Sequence, residues 1–201
     1  MDHSYGALEL IENIDIGNIF VADFDYGDNA IYNEIIASAQ NKNIPVSKIK
    51  AGDIALLSGG INIDCLYPIT TPVFDEVDTN KGSLVLKLTC GSVSVLLTGD
   101  VDIDVENFLM TANCHMECDI LKVAHHGSKY STSAEFVKYI DPEYAVISSG
   151  KNNIYGHPSD EVIENLSLNG TKIYNTAVNG TVTVKTDGTD YEIYTAIEEE
   201  T

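Results

Sequence analysis

The sequence of 201 residues has no tryptophan, few basic residues and no long apolar run. Its longest apolar stretches, such as Val93 to Leu97, stop at a turn or a charge, well short of the ~18 residues that a membrane-spanning helix needs. With 44% hydrophobic residues, 15 Gly and 5 Pro, the composition is ordinary for a soluble globular protein. We therefore expect one well-buried domain over residues 1–201 and no membrane segment.

Basic residues are outnumbered by acidic ones, with 11 Lys and Arg against 31 Asp and Glu and a formal net charge of -20. Such a charge repels polyanions at long range and disfavours loose binding to a DNA backbone. Surplus carboxylates can still bind divalent cations, and a bound cation inverts the local field where a phosphate would lie. The charge therefore argues against a nucleic-acid coat protein more strongly than against a metal-dependent hydrolase.

The four cysteines, Cys65, Cys90, Cys114 and Cys118, form no C-x-x-C pair. A chain of this length needs no disulfide scaffold, so we interpret them mainly as small buried hydrophobes. The alternative is a metal tract at Cys114-His-Met-Glu-Cys118, although it lacks the matching second half of a structural zinc site.

Apolar periodicity predicts helices and strands in alternation. The predicted helices cover residues 6–13, 29–41, 105–111, 133–140 and 160–168, and short apolar strands lie between them. Hairpin turns are predicted at Cys90-Gly91-Ser92, Asn179-Gly180 and Asp187-Gly188, and Thr132-Ser-Ala-Glu135 matches a capping box. This order predicts an α/β fold in which helices cover a mixed sheet.

Ligand-type residues follow three of the predicted strands, in Thr98-Gly99-Asp100, His125-His126-Gly127-Ser128 and Tyr155-Gly156-His157-Pro158. A fourth candidate is Asp2-His3, directly before the first helix. Loops at the carboxyl ends of strands are where sites gather in layered α/β proteins. Carboxylates mixed with imidazoles suit zinc, or manganese where oxygen ligands dominate.

Each candidate has a simpler alternative. Asp100 could only cap the helix that follows it, and His157 could be an ordinary histidine of a surface turn. For His125 and His126, the alternative is one buried and one solvated imidazole. Adjacent side chains leave an extended backbone on opposite sides, so only one of the two is expected to face a given ion. The coincidence of three such loops favours a functional site.

Five segments, in order and at family-like separations, resemble the metallo-β-lactamase superfamily: "NKGSLVLKL", "LLTGD", "DILKVAHHGSKYSTSAEF", "PEYAVISSGKNNIYGHP" and "NGTVTVKTDG". The likeness is to the branch related to the hydrolase domain of the bacterial ComEC-type DNA-uptake (competence) proteins. It implies a four-layer αββα sandwich with a two-metal site at one edge. Asp2-His3 resembles the end of the family's His-x-His-x-Asp-His run, so the first strands and the His-x-His part are expected to be missing.

The resemblance also implies roles for the candidate residues. Asp2, His3 and His157 would hold one metal ion, Asp100 would bridge to a second, and His125 is the preferred further ligand. His126 would act beside Asp100 in catalysis, and Ser128 and Lys129 would bind substrate. The implied cofactor is Zn²⁺ or Mn²⁺, up to two ions in a full-length domain. The family usually has another His before the bridging Asp, and this chain has none there.

The implied reaction is hydrolysis of a phosphodiester, in DNA or a phosphorylated polymer, by a metal-activated hydroxide. One alternative is a catalytically impaired fragment or non-catalytic module that keeps the fold. Another is a β-lactam or thioester hydrolase, because a fold alone does not decide the reaction.

Overall fold

The structure is a computed structural model that describes residues 4–69 and 79–197. Its helices are α1 (Tyr5–Asn13), α2 (Ala30–Asn41), α3 (Ile103–Thr111), α4 (Ala134–Ile140), α5 (Asp160–Leu168) and α6 (Thr176–Asn179). Its strands are β1 (Ile19–Ala22), β2 (Val46–Ile49), β3 (Ile54–Leu57), β4 (Ile61–Tyr67), β5 (Val85–Cys90), β6 (Val93–Leu97), β7 (Ile120–Lys122), β8 (Tyr144–Ile147), β9 (Lys172–Asn175), β10 (Val182–Thr186) and β11 (Tyr191–Thr195).

The largest sheet of the described residues has seven strands in the order β3-β4-β5-β6-β7-β8-β9. From β3 to β6 the neighbours are antiparallel, and from β6 to β9 they are parallel. The carboxyl ends of parallel neighbours lie at one edge of a sheet. The loops that follow β6, β7 and β8 therefore leave the sheet side by side.

The main core lies on one face of this sheet. Leu96, Leu121 and Ala145 occupy adjacent register positions on β6, β7 and β8, and all three are fully buried. Three helices pack over them through the apolar positions Val105, Leu109, Phe136, Val137, Ile140, Val162 and Leu166. Burying each large apolar side chain contributes about 1.5–3 kcal/mol. This packing gives the loops at the sheet edge a fixed base.

Two smaller sheets lie towards the other face. The parallel pair β1–β2 packs with α1 and α2 in a second apolar cluster, and the Tyr26 hydroxyl, in the loop after β1, donates to the Gly82 carbonyl at 2.8 Å. The hairpin β10–β11 meets the large sheet where the rings of Tyr191 and Tyr144 lie edge to face, 5.8 Å apart. The order is helices, small sheets, large sheet and helices, and the predicted α/β sandwich is confirmed.

Two predictions of local structure are wrong. Asn179-Gly180 is not a hairpin turn but the end of α6, which begins where the Asn175 side chain caps Ala177. Helix α4 is capped by Ser133 rather than Thr132, because the Ser133 side chain accepts from Phe136 N–H. The other predicted turns, at Gly91 and at Asp187-Gly188, do join β5 to β6 and β10 to β11.

Within residues 4–69 and 79–197, every helix is too short or too polar to span a bilayer.

Candidate metal centre and active site

The structure brings together three of the four predicted loops. Loop 98–100 follows β6, loop 124–128 follows β7, and loop 148–158 follows β8. The His125 N–H donates to the Gly99 carbonyl at 3.0 Å, and a His126 ring nitrogen lies 2.7 Å from the Ser148 carbonyl. These bonds join the three loops at the edge of the sheet. The fourth candidate, Asp2-His3, lies outside the described residues.

The Asp100 side chain lies beside His126 and does not cap the following helix. The N-cap of α3 is Asp102, whose side chain accepts from Val105 N–H. Gly99 has a φ of +55°, and a Cβ there would lie 2.7 Å from the Ser83 Cβ, so the tight turn requires glycine. The Asp100 side chain is only 13% exposed, and its Oδ1 lies 3.9 Å from His126 Nε2.

The two adjacent histidines lie in a left-handed turn, so the expectation of an extended backbone is wrong. His125 has a φ of 47°, His126 of 56° and Gly127 of 83°. Left-handed residues other than glycine are uncommon, cost about 1–3 kcal/mol and gather at functional sites. This turn directs His126 towards Asp100, while the His125 ring lies 5.9 Å from the His157 ring. Both histidines therefore face the same site.

The hydrogen bond of His126 fixes its tautomer. Its Nδ1 lies 2.7 Å from the Ser148 carbonyl, and because a carbonyl only accepts, Nδ1 carries the proton. In the neutral ring the lone pair is then on Nε2, the atom that lies near Asp100. Metal-binding histidines commonly have this arrangement, with one nitrogen donating to a carbonyl and the other directed at the ion.

His157 completes the cluster from the third loop. Asn153 holds its backbone on both sides, since Asn153 Oδ1 accepts from the His157 N–H at 2.8 Å and Asn153 Nδ2 donates to the His157 carbonyl at 2.6 Å. Burial lowers the pKa of His157, and the nearby His125 and His126 lower it further, while Asp100 acts in the opposite direction. A lowered pKa favours the neutral ring near pH 7, the form that can bind a cation.

The two predicted substrate-binding residues differ in exposure. Ser128 is buried, and its hydroxyl accepts from the Tyr130 N–H at 3.3 Å, so it helps to hold its own loop. Lys129 is exposed, with its ammonium 5.0 Å from the centre of the Tyr130 ring. A substrate contact remains a prediction for both residues.

Glu106 is a residue that the sequence did not single out. It is fully buried in α3 and accepts hydrogen bonds from the Thr132 and Ser133 N–H groups and from the Ser133 hydroxyl. Burial raises the pKa of Glu106, against the effect of these donors. Glu106 thereby fixes the far end of the loop that carries the histidines. Nothing local in the sequence distinguishes it from the solvated acids of α3.

Lys122, a base in the strand before the histidine loop, also interacts with the site. It ends β7, and its ammonium donates to the Val123 carbonyl at 2.8 Å. Burial lowers the pKa of Lys122, and the Asp100 carboxylate opposes this shift. The site therefore contains a half-buried cation that interacts with its acid, which reduces the cost of desolvating Asp100.

The candidate ligand atoms are of the chemical types that zinc and manganese ions bind. They are one carboxylate and three imidazoles, and Asp100 Oδ1 lies 3.9 Å from His126 Nε2. Two ligand atoms of one tetrahedral zinc ion lie about 3.3 Å apart. The two atoms of this pair would therefore have to move slightly closer together to bind one ion. In the described part of the chain, however, no group of three or more His, Cys, Asp or Glu side chains is arranged to hold a metal. This also applies to the cysteine tract at Cys114–Cys118.

Comparison with known proteins finds relatives among competence proteins. No protein-family model matches the chain. It is 33% identical over 150 residues to ComE operon protein 3 of Bacillus subtilis, across 74% of this chain and 19% of that protein. It is 36% identical over 122 residues to competence protein ComA of Neisseria gonorrhoeae, across 60% of this chain and 17% of that protein. The chain thus spans under a fifth of the length of these relatives.

One solved structure shares the fold at low identity. A mutant of CmlA β-hydroxylase aligns with a TM-score of 0.52 and 11% identity, over 80% of this chain and 38% of that chain. This likeness shows a common fold. A Zn-dependent hydrolase of the metallo-β-lactamase superfamily from Thermotoga maritima aligns over 76% of this chain and 68% of that chain at 10% identity, with a TM-score of 0.35.

Proposed function

Because this chain is homologous to one segment of the ComEC-type competence proteins, we propose that it is a metal-dependent hydrolase of phosphodiester bonds with a metallo-β-lactamase fold. The observation that carries this proposal is the cluster of Asp100, His125, His126 and His157, which three separate loops bring to one edge of the sheet. Carboxylate and imidazole side chains gathered at strand ends are the ligand types that catalytic Zn²⁺ and Mn²⁺ sites commonly use.

The residues of the chain have distinct roles in this proposal. Asp100 and His126 are the first pair of metal ligands, because their facing atoms are 3.9 Å apart. His157 and His125 follow as further ligands or as groups that contact the substrate. Asp2 and His3 complete the set by resemblance. A metal ion in this position supplies Lewis-acid stabilisation of the charge that develops on phosphoryl oxygens.

Other parts of the site bind and orient the substrate. Lys129 is exposed directly after the loop that carries the histidines, and it can meet a phosphate oxygen that the overall charge of -20 would repel. The Ser148 carbonyl and the Gly99 carbonyl hold the two histidines in their turn. Such fixed geometry is what a site contributes to an in-line displacement. The homology to competence proteins makes DNA the first substrate to test and a phosphorylated polymer the second.

One observation favours a second candidate function, a non-catalytic module that keeps the fold. Among the described residues, no group of three or more His, Cys, Asp or Glu side chains is arranged to hold a metal. In that case the chain would bind no metal tightly and would turn over no phosphodiester. A β-lactam or thioester hydrolase would instead act on a carbonyl substrate.

One set of assays distinguishes these candidate functions. We expect hydrolysis of bis-p-nitrophenyl phosphate that depends on Mn²⁺ or Zn²⁺, and no turnover of the β-lactam nitrocefin. Asp100→Ala and His157→Ala should each lower the metal-dependent rate by about 100-fold or more, because each removes a proposed ligand. Circular dichroism would confirm that both variants fold. Turnover unchanged by both substitutions would exclude this site, and absence of metal binding in the wild type would favour the non-catalytic module.

A further inference from the structure

An exposed tyrosine lies beside one of the site histidines, with its ring nearly parallel to the imidazole. The rings of Tyr155 and His157 are stacked, with centroids 5.8 Å apart and planes inclined by only 17°. The Tyr155 residue is nevertheless 75% exposed. Most of the surface of Tyr155 is therefore open to solvent at the edge of the cluster of candidate metal ligands.

The loop that carries Tyr155 is held in place. Asn153 bonds to both backbone groups of His157 and donates to the Gly150 carbonyl at 2.8 Å. Gly156, with a φ of +70°, makes the turn between the two stacked rings. A loop whose backbone is already fixed loses little conformational entropy when a ligand binds to it. The alternative is an exposed loop tyrosine without a role, and the nearly parallel arrangement of its ring with a site residue favours the functional interpretation.

The net charge of the protein gives a reason for an exposed aromatic ring at the site. At a net charge of -20, the chain has no long-range attraction for a polyphosphate backbone. A polyanionic substrate must therefore gain affinity from contacts that are not ionic. Stacking of a base on an aromatic side chain is such a contact, and it tolerates any base because each has a π-face.

We propose that Tyr155 is a stacking platform for a base next to the scissile phosphate, so that the site selects nucleoside-bearing phosphodiesters in single-stranded form. This inference rests on the proposed function, because it names the substrate class of the same site. A base stacked on Tyr155 would place its neighbouring phosphate close to His157, because the two rings lie side by side with centroids 5.8 Å apart. Single strands are favoured because their bases can leave the stack, whereas bases in a duplex are already paired.

The test compares two oligomers with equal numbers of phosphates, a thymidine hexamer and an abasic hexamer, by isothermal titration calorimetry at physiological ionic strength with Mn²⁺ present. We expect the wild type to bind the thymidine oligomer about tenfold more tightly, from the usual strength of base stacking. Tyr155→Ala should reduce this ratio to about one, and Tyr155→Phe should preserve it because the ring remains.

The matched control is Leu56→Ala on the edge strand β3, which also removes an exposed apolar side chain, at 81% exposure, and should leave the ratio unchanged. A ratio of one in the wild type, or a ratio that Tyr155→Ala does not change, would overturn the inference and indicate recognition of the sugar-phosphate backbone alone. Hydrolysis of bis-p-nitrophenyl phosphate, measured in parallel, tests the proposed function separately. Loss of that activity with a retained base preference would refute the hydrolase and not the platform.

Discussion

At the scale of single residues, the site depends on side chains that hold other residues in place as much as on those that would bind a metal. The tautomer of His126 is set by the Ser148 carbonyl, and the position of His157 is set by Asn153. Glu106 is the most buried of these supports, with no exposed surface. A buried carboxylate is tolerated only when donors satisfy it, and here Thr132 and Ser133 supply them.

Replacing this carboxylate should be costly. In Glu106→Gln, an NH₂ group replaces one of the two carboxylate oxygens that accept from the Thr132 and Ser133 N–H groups. One of these buried backbone N–H groups therefore loses its acceptor. We expect the free energy of unfolding to fall by about 2 kcal/mol, measured by urea denaturation. The control is Glu135→Gln, at an exposed acid in the first turn of α4, which should change stability by less than about 0.5 kcal/mol. Equal effects of the two substitutions would contradict the support role of Glu106.

At the scale of elements, parallel strands explain why distant loops meet. Strands β6, β7 and β8 are hydrogen-bonded neighbours, so their carboxyl ends open at the same edge. The connection between two of the loops is also tight, because the Ser159 N–H donates to the Gly127 carbonyl at 2.8 Å. The loop after β7 therefore packs directly against the start of α5, with no space for an additional side chain at Gly127.

Two glycines of the site provide a matched test of this packing. A Cβ at Gly127 would lie 2.6 Å from the Pro158 Cβ, whereas a Cβ at Gly156 would meet nothing within 4 Å. Both residues have a positive φ, so replacement by alanine costs similar backbone strain at each. We expect Gly127→Ala to lower the free energy of unfolding by roughly 2 kcal/mol more than Gly156→Ala, because of the added steric overlap. Thermal and urea unfolding of the two variants would measure the difference, and equal losses would show that the contact is not restrictive.

At the scale of the whole molecule, charge governs how a phosphodiester would approach the proposed site. The net charge of -20 surrounds a site that includes the half-buried Lys122 and the exposed Lys129. A polyanion must approach against this field. A small phosphodiester with a single charge is repelled far less.

This difference predicts a salt dependence of the cleavage rate that is opposite to that of most nucleic-acid enzymes. The second-order rate of cleavage of a DNA oligonucleotide should rise with added NaCl at saturating Mn²⁺, because salt screens the repulsion between like charges. The rate for bis-p-nitrophenyl phosphate should change much less over the same range. Initial rates across a salt series would test this. A DNA rate that falls steeply with salt would instead indicate a basic phosphate-binding surface.

The sequence by itself determined the α/β class, the alternation of elements and the three loops that carry Asp100, His125, His126 and His157. Those features depend on local periodicity and on the parallel order that it implies, so they can be predicted without coordinates. The family resemblance, and with it the proposed chemistry, also came from short motifs in order.

Only the tertiary structure decided which acid caps α3, how the two adjacent histidines turn and which nitrogen of His126 faces Asp100. It also identified Glu106 as a support of the histidine loop. These properties depend on contacts between residues far apart in the chain, such as Glu106 with Thr132 across 26 positions and His126 with Ser148 across 22. A backbone turn that is unfavourable locally persists only because such contacts hold it, and local sequence patterns do not record them.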